Sequence, residues 1–271
     1  MALKQLSLKL KKKLVKIYTQ AGVKPLNNLV HVGSTYHGYY IPPGFLNRNS
    51  ICYLVGAGDD ISFDIELKKL YDSDIFIIDP TPASKNHFLK LKESIQKNEP
   101  PPRVHGDPNY TYKISADKLN EIKFIEKGVW TEDTVLKFHD PEIGGYVSQS
   151  VFLFKDSKKV MELPVDRLSN LMKSLNHDKI DVVKLEIEGA EYTVIDTILE
   201  DKIDVKMILV EFDEVHHIKG IAPLLRIRKT CAKLKKAGFV LTHSTSKLKR
   251  TFIRKDVHKQ LKANEKKLGV Q

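Results

Sequence analysis

The chain has few cysteines and no long apolar run. Two cysteines among 271 residues exclude the disulfide framework of small secreted domains. Cys52 lies in an apolar run and Cys231 in a predicted helix, which indicates buried thiols in a reducing compartment. No segment reaches the ~20 apolar residues of a membrane span, and no apolar stretch follows the N-terminal lysines as it would in a secretory signal. These absences predict a cytoplasmic globular protein.

Acidic residues are missing from positions 1–20, which carry six lysines. Residues 244–271 carry nine basic residues against Asp256 and Glu265, and the net charge of the whole chain is +11. The segment 21–243 is therefore nearly neutral. A nucleic-acid enzyme usually spreads basic residues around its site, so this distribution disfavours a nucleic-acid partner.

The N-terminal segment predicts an amphipathic helix that ends near Gly22. Its apolar residues recur every three or four positions, with lysines between them: Leu3, Leu6, Leu10, Leu14 and Ile17. Such a helix either packs on the domain with its lysines in solvent, or docks on a partner or a membrane surface. We divide the chain into this helix with its lead-in (1–49), a main domain (50–255) and a basic C-terminal tail (256–271).

The main domain alternates strands with helices after an irregular lead-in over 31–50, whose aromatic residues could cover a pocket. This alternation predicts an α/β fold, a doubly wound and mostly parallel sheet with helices on both faces. The predicted strands are 51–55, 74–79, 122–129, 134–138, 151–154, 159–163, 181–186, 205–212, 238–241 and 251–254. The predicted helices are 60–71, 84–97, 165–175, 190–199 and 221–236.

The first strand ends in a glycine turn containing Gly56 and Gly58. Glycines let the turn bend and let a ligand approach the backbone. A dinucleotide fold would have a third glycine where this chain has Ile61, and Asp59 with Asp60 would repel a pyrophosphate. Acidic residues suit instead a cofactor with ribose hydroxyls and a cationic amino-acid end. The alternative is an ordinary tight turn between strand and helix.

The second strand ends at Asp79-Pro80, about twenty residues after the glycines. A carboxylate there can accept hydrogen bonds from both hydroxyls of a ribose. Alternatively, Asp79 caps the turn at Pro80.

Charged residues follow the next two parallel strands. Alternation places Lys184, Glu186 and Glu188 on one side of a buried strand, where charges are costly unless they are paired or functional. Beyond the next strand come Glu211 and the pair His216-His217, candidate general bases. The spacing fits no standard metal site, so we predict none. A structural ion-pair network and a plain polar loop are the respective alternatives.

Taken together these motifs resemble the FkbM family of methyltransferases over roughly residues 50–255. The matching segments are Val55–Asp60, Asp79, Leu163–Leu168, Lys184–Glu191 and Glu211–His216, of which Lys184–Glu191 is the most specific. The chain departs from the family pattern at Leu54 and Asp60, and Glu186 replaces a more usual aspartate.

The resemblance implies a class I methyltransferase fold, with about seven strands of which the last is antiparallel. It also implies S-adenosylmethionine as cofactor and O-methylation of a sugar, glycan or small metabolite. The candidate cofactor-binding residues are Gly56, Gly58, Asp59, Asp60, Asp79, Pro80 and Glu188, and the candidate catalytic residues are Glu186, Glu211, His216 and His217.

Other functions remain open from the sequence. The basic ends could serve a nucleic-acid methyltransferase, and the N-terminal helix could dock a catalytically silent scaffold. The residues at 59–61 disfavour a nicotinamide-dependent oxidoreductase. The segment 144–148 is either an acceptor-side loop or a plain connection.

Overall fold

The computed structural model describes residues 22–140, 159–213, 221–245 and 249–267. Several predictions fall outside these residues: the helix at 3–17, the segment 144–148, the strand at 151–154, and the pair His216-His217. They stay predictions. Within the described ranges, none of the helices is long and apolar enough to cross a membrane.

The described residues form twelve strands and seven helices. The strands are Val30–Val32 (β1), Tyr39–Ile41 (β2), Ile51–Val55 (β3), Asp74–Ile78 (β4), Lys123–Ile125 (β5), Gly128–Trp130 (β6), Thr134–Asp140 (β7), Lys159–Arg167 (β8), Lys179–Leu185 (β9), Asp204–Glu211 (β10), Phe239–Ser244 (β11) and Lys249–Arg254 (β12). The helices are Ser62–Tyr71 (α1), Pro82–Lys97 (α2), Ala116–Glu121 (α3), Leu168–Ser174 (α4), Glu191–Glu200 (α5), Ala222–Lys236 (α6) and Lys255–Lys267 (α7).

Seven strands form the central sheet in the order β11-β12-β10-β9-β3-β4-β5. The pairs from β10 to β5 are parallel, whereas β12 runs antiparallel to both of its neighbours. This topology confirms the doubly wound, mostly parallel sheet and its antiparallel last strand.

The sheet is apolar on both faces because helices cover it on both sides. In β3, Tyr53 and Val55 belong to one hydrophobic core, and Cys52 and Leu54 belong to the other. Alternation along each buried strand thus supplies two cores, and polar groups collect where the strands end.

Several predicted bounds are wrong, most clearly around the second sheet. The single strand expected at 122–129 is two strands, because β5 joins the central sheet whereas β6 belongs to a separate three-stranded sheet with β7 and β8. The helix expected at 165–175 begins only at Leu168, because Val165, Asp166 and Arg167 pair with β6 and extend β8.

The segments flanking the main domain are more regular than expected. The lead-in contains the antiparallel pair β1-β2, in which Tyr39 and Ile41 are buried. The C-terminal segment forms α7, whose Glu265 carboxylate accepts a hydrogen bond from the Asn27 amide at 2.6 Å. The two flanks therefore meet, and the three-part division of the chain stays a prediction.

A buried ion pair joins β9 to α1 below the carboxyl edge of the sheet. The side chains of Lys184 and Asp64 are both fully buried, with Lys184 Nζ 3.2 Å from Asp64 Oδ2. Lys184 Nζ also lies 3.4 Å from Glu186 Oε2. Burial alone would lower the pKa of Lys184, but Asp64 and Glu186 raise it well above its ordinary value. The ammonium is therefore charged in the core.

Replacing Lys184 should destabilise the fold strongly. Lys184→Met leaves the Asp64 carboxylate buried without its cation, at a cost of about 3–5 kcal/mol in the free energy of unfolding. Urea denaturation measures this cost. The matched control is Lys97→Met, which removes an exposed pair with Glu93 and should change stability little. Equal effects of the two variants would contradict the role given to the buried pair.

Candidate functional site

The glycine turn after β3 is fixed by its close approach to β9. Gly56 has a φ of +87°, and a Cβ at this position would lie 1.9 Å from the carbonyl oxygen of Glu186. Gly58 also has a positive φ, +53°, but a Cβ there meets no atom within 4 Å. Gly56 is thus required by the protein's own backbone, whereas Gly58 borders open space.

Asp79 holds this turn and the next one together. Its Oδ2 accepts a hydrogen bond from the Ala57 amide at 2.8 Å, and its Oδ1 accepts from the amide and hydroxyl of Thr81 at 2.8 and 2.6 Å. These hydrogen bonds are those expected if Asp79 caps the turn at Pro80. Its ribose-binding role stays a prediction.

The other two acids of the glycine turn have separate partners. The buried Asp60 carboxylate accepts hydrogen bonds from the Ser34 hydroxyl at 2.6 Å and from the Ser62 amide at 2.8 Å. Asp59 Oδ2 lies 3.7 Å from His105 Nδ1. Asp60 therefore ties the lead-in to the start of α1, whereas Asp59 faces His105.

Glu186, directly after β9, is surrounded by cations and donors. Its Oε1 accepts from the Tyr39 hydroxyl and from Lys249 Nζ, both at 2.8 Å, and its Oε2 lies 3.7 Å from His37 Nδ1. Burial opposes ionisation, yet Lys249 and Lys184 hold the pKa of Glu186 well below its usual range. Glu186 is therefore ionised at neutral pH and holds the Tyr39 hydroxyl and the Lys249 ammonium in place.

Glu211, the last residue of β10, and Asp213, two residues further on, are less well compensated than Glu186. Glu211 Oε2 lies 2.9 Å from Lys249 Nζ, but burial and the charge of Glu186 raise its pKa to about 7. Burial and the charges of Glu211 and Glu188 raise the pKa of Asp213 well above its usual range. These two carboxyls therefore exchange protons closer to neutrality than ordinary acids do.

The turn after β9 is strained at Glu188, a non-glycine residue with a φ of +53°. The buried Glu191 carboxylate supports this turn by accepting from the amides of Ile187 at 2.9 Å and Gly189 at 3.0 Å. Burial raises the pKa of Glu191 to about 8 despite these bonds. Glu191, one of the charged residues after β9, thus shapes the turn that contains Glu188.

All nine described residues that the sequence predicts for the site line one cavity of about 480 Å³. They come from the ends of β3, β4, β9 and β10. His216 and His217 lie outside the described residues. The cavity also has aromatic walls from the lead-in and the three-stranded sheet, contributed by Tyr36, Trp130 and Phe138.

Sequence reasoning missed His37, Tyr39 and Lys249 as individual site residues. The expectation that lead-in aromatics could cover a pocket pointed towards the first two. No local sequence pattern points to Lys249 as a site residue, because only the pairing of β12 with β10 brings it beside Glu211.

His37, Glu186 and Glu211 offer ligand atoms within 4.8 Å of one another, a separation compatible with a metal ion. However, the Lys249 ammonium already contacts the carboxylates of both Glu186 and Glu211. A divalent cation would have to displace it, so this trio is better described as a site filled by the protein's own cation.

Comparison with known proteins assigns the family. The family model for the methyltransferase FkbM domain matches residues 54–241, well over half of the chain. The chain belongs to the FkbM methyltransferase family. Membership implies that S-adenosylmethionine is the methyl donor.

No curated protein matches the chain. Among solved structures, the fibrillarin pre-rRNA processing protein of Methanococcus jannaschii is similar, with 11% identity and a TM-score of 0.40. The similarity covers 77% of this chain and 68% of the fibrillarin chain.

Part of the site lies outside the region that matches the FkbM domain. Tyr36 and His37 line the cavity from the N-terminal side of that region, and Lys249 reaches the site from its C-terminal side. These three residues therefore reach the site from segments that flank the matched FkbM domain.

The two glycines of the turn should respond differently to the same substitution. Gly58→Ala introduces only the strain of a left-handed backbone, about 1–2 kcal/mol, whereas Gly56→Ala adds a collision with the Glu186 carbonyl and should cost about 3 kcal/mol or more. Urea unfolding of the two variants measures the difference. Similar losses would show that contact with Glu186 does not dictate Gly56.

Stability should fall as Glu211 ionises. The folded protein keeps the Glu211 proton up to about pH 7, whereas the unfolded chain releases it near its ordinary pKa of about 4.5. Unfolding therefore becomes easier between about pH 4.5 and about pH 7, on the order of 1–3 kcal/mol.

Glu211→Gln should remove this contribution. The comparison is the unfolding free energy at about pH 5 and about pH 8 for wild type and variant, since other titrating groups largely cancel in the double difference. Glu99→Gln, at an exposed position, is the control. A pH dependence unchanged in Glu211→Gln would refute the assignment.

Proposed function

We propose that the chain transfers a methyl group from S-adenosylmethionine to a hydroxyl oxygen of a sugar, glycan or small metabolite. The observation that carries this proposal is the single cavity that joins the glycine turn and Asp79 to the carboxyl groups after β9 and β10. Cofactor and acceptor can therefore meet without any rearrangement of the sheet.

The residues present fit the cofactor. The volume of about 480 Å³ falls within the range of about 300–1,000 Å³ typical of small-molecule sites. Gly58 leaves open space beside the backbone, and the acidic lining suits a ligand with a sulfonium and an ammonium. We assign Gly56, Gly58, Asp59, Asp60, Asp79, Pro80 and Glu188 to the cofactor.

Among the candidate bases, Glu211 suits proton transfer best. Efficient general-base catalysis needs a pKa near the working pH, and the pKa of Glu211 is about 7. Glu186 is fully ionised and its oxygens are occupied by Lys249 and Tyr39, so it orients its neighbours instead. His216 and His217, which lie outside the described residues, remain candidates from the sequence.

The transfer is an in-line displacement in which positioning supplies most of the rate. Bound S-adenosylmethionine supplies a methyl group on a positively charged sulfur. The glycine turn and Asp79 would hold this cofactor so that the acceptor oxygen could bond to the methyl carbon, and the electron pair of the carbon–sulfur bond would return to sulfur. Glu211 takes the hydroxyl proton.

The cavity supports a small acceptor over a nucleic acid. Its described lining contains acidic side chains but neither lysine nor arginine, and a phosphate backbone binds to basic groups. The remaining alternative is a catalytically silent scaffold. Measurements of cofactor binding and methyl transfer distinguish the two functions.

The proposal is tested by calorimetry with S-adenosylmethionine and by methyl transfer from the labelled cofactor to a panel of sugars and small hydroxyl compounds. We expect binding, transfer to oxygen, and a 10²–10⁴-fold lower kcat in Glu211→Gln at similar cofactor affinity. Glu99→Gln should behave as wild type. Absence of cofactor binding, or thermal stabilisation by NAD instead, would refute the proposal.

A further inference from the structure

Helix α6 has a basic and partly apolar surface on the side that faces away from the core. Its sequence contains six lysine and arginine residues and neither aspartate nor glutamate. None of its residues lines the described cavity. The residues that it buries are Pro223, Ile227, Thr230, Cys231 and Leu234. The opposite side is therefore available to a partner.

Five exposed residues follow one another at helical spacing along that opposite side: Ile221, Leu225, Lys229, Ala232 and Lys236. The Leu225 amide donates a hydrogen bond to the Ile221 carbonyl oxygen at 3.1 Å, so Ile221 belongs to the first turn. Residues three or four positions apart share one side of a helix. We call these five residues the outer face of α6.

The first half of the outer face is apolar. Ile221 is 60% exposed and Leu225 is 50% exposed, and they lie one helical turn apart. Single exposed aliphatic residues are common on protein surfaces, but these two are adjacent and are followed along the same face by Lys229 and Lys236. Apolar residues beside cations are typical of a helix that lies at a membrane surface.

The two lysines of the outer face keep their charges for a partner. Within the described residues, neither Lys229 nor Lys236 makes an ion pair, whereas Lys233, nearer the core, lies 2.6 Å from the Asp196 carboxylate. An ammonium group without a counter-ion in the protein is attracted to the phosphates of anionic lipids. The outer face therefore complements an anionic surface even if every other cation of α6 is compensated.

The chain before Gly22 joins the structure beside this helix. A Cβ on Gly22 would lie 2.6 Å from Lys235 Nζ, near the C-terminal end of α6. Residues 1–20, which precede it, carry six lysines and no acid. Two basic segments repel each other but are both attracted to an anionic surface. The position at which the described chain begins thus favours the same kind of partner.

The apolar end of the outer face lies at the edge of the sheet that holds the cavity. Next to Leu225, the guanidinium carbon of Arg226 lies 5.3 Å from the centre of the Tyr192 ring. Tyr192 is the second residue of α5, and Ala190, just before that helix, lines the cavity. Binding through Ile221 and Leu225 therefore brings this edge of the sheet to the partner.

We propose that the outer face of α6 binds the surface of an anionic lipid bilayer. Ile221 and Leu225 enter the headgroup region, and Lys229 and Lys236 lie against lipid phosphates. A nucleic acid would use the cations but not the aliphatic side chains, whereas the bilayer interface accommodates both. This proposal does not depend on the proposed methyl transfer.

Cosedimentation of the full chain with lipid vesicles tests the proposal. The two vesicle types are phosphatidylcholine alone and phosphatidylcholine mixed with phosphatidylglycerol. We expect binding to the mixed vesicles to be at least about tenfold tighter, because each lysine near an anionic surface adds to the attraction. Binding should weaken as NaCl is added.

Two double variants separate the charged and apolar contributions. Lys229→Glu with Lys236→Glu should weaken binding to the mixed vesicles about tenfold or more, and Ile221→Ser with Leu225→Ser should weaken it about tenfold. All four positions are exposed, so the melting temperature should change little.

The matched control is Leu89→Ser with Lys90→Glu on α2. Leu89 is 47% exposed and Lys90 is exposed, so the control makes the same types of substitution on another helix. Its binding to the mixed vesicles should equal that of the wild type.

Equal binding of the wild type to both vesicle types, including no binding to either, would overturn the inference. So would binding that is unchanged in both α6 variants, because the N-terminal segment would then carry it alone. Binding to single-stranded RNA without binding to vesicles would overturn it in favour of a nucleic acid. Failure of S-adenosylmethionine binding would remove the proposed function and leave this inference standing.

Discussion

Two buried ammonium groups hold the carboxyl edge of the sheet together. Lys184 connects Asp64 with Glu186, and Lys249 connects Glu186 with Glu211. The carboxylates that follow β9 and β10 would otherwise repel one another in a poorly solvated place. Because Lys249 belongs to the antiparallel strand β12, the topology of the sheet and the charge balance of the site depend on each other.

The glycine-turn end of the cavity is shaped by the protein's own hydrogen bonds. Asp79 binds the amides of the glycine turn and of Thr81 at once, and Gly56 touches the backbone of β9. Both turns are thereby fixed before any ligand arrives, which reduces the ordering cost of binding. Asp79, which the sequence predicts to bind the cofactor, thus has a structural role here.

The acids at the end of β10 are less well compensated, because Lys249 contacts Glu211 but not Asp213 among the described ion pairs. Glu211 and Asp213 lie close to other acids, and their raised pKa values show that their ionised forms destabilise the folded state. Sites commonly trade stability for function in this way. The result is a cavity whose wall holds a carboxyl group, that of Glu211, with a pKa near neutrality.

Local patterns in the sequence determined the alternation of strands and helices, the glycine turn, and the acids that follow β4, β9 and β10. Each of these signals lies within one element and its turn, so periodicity and residue type suffice to detect it. The bounds of β5, β6 and β8 depended instead on which sheet each strand joins. Only the tertiary structure brought Tyr39 and Lys249 to Glu186, across 147 and 63 residues of chain, because strand order and register decide which distant side chains meet.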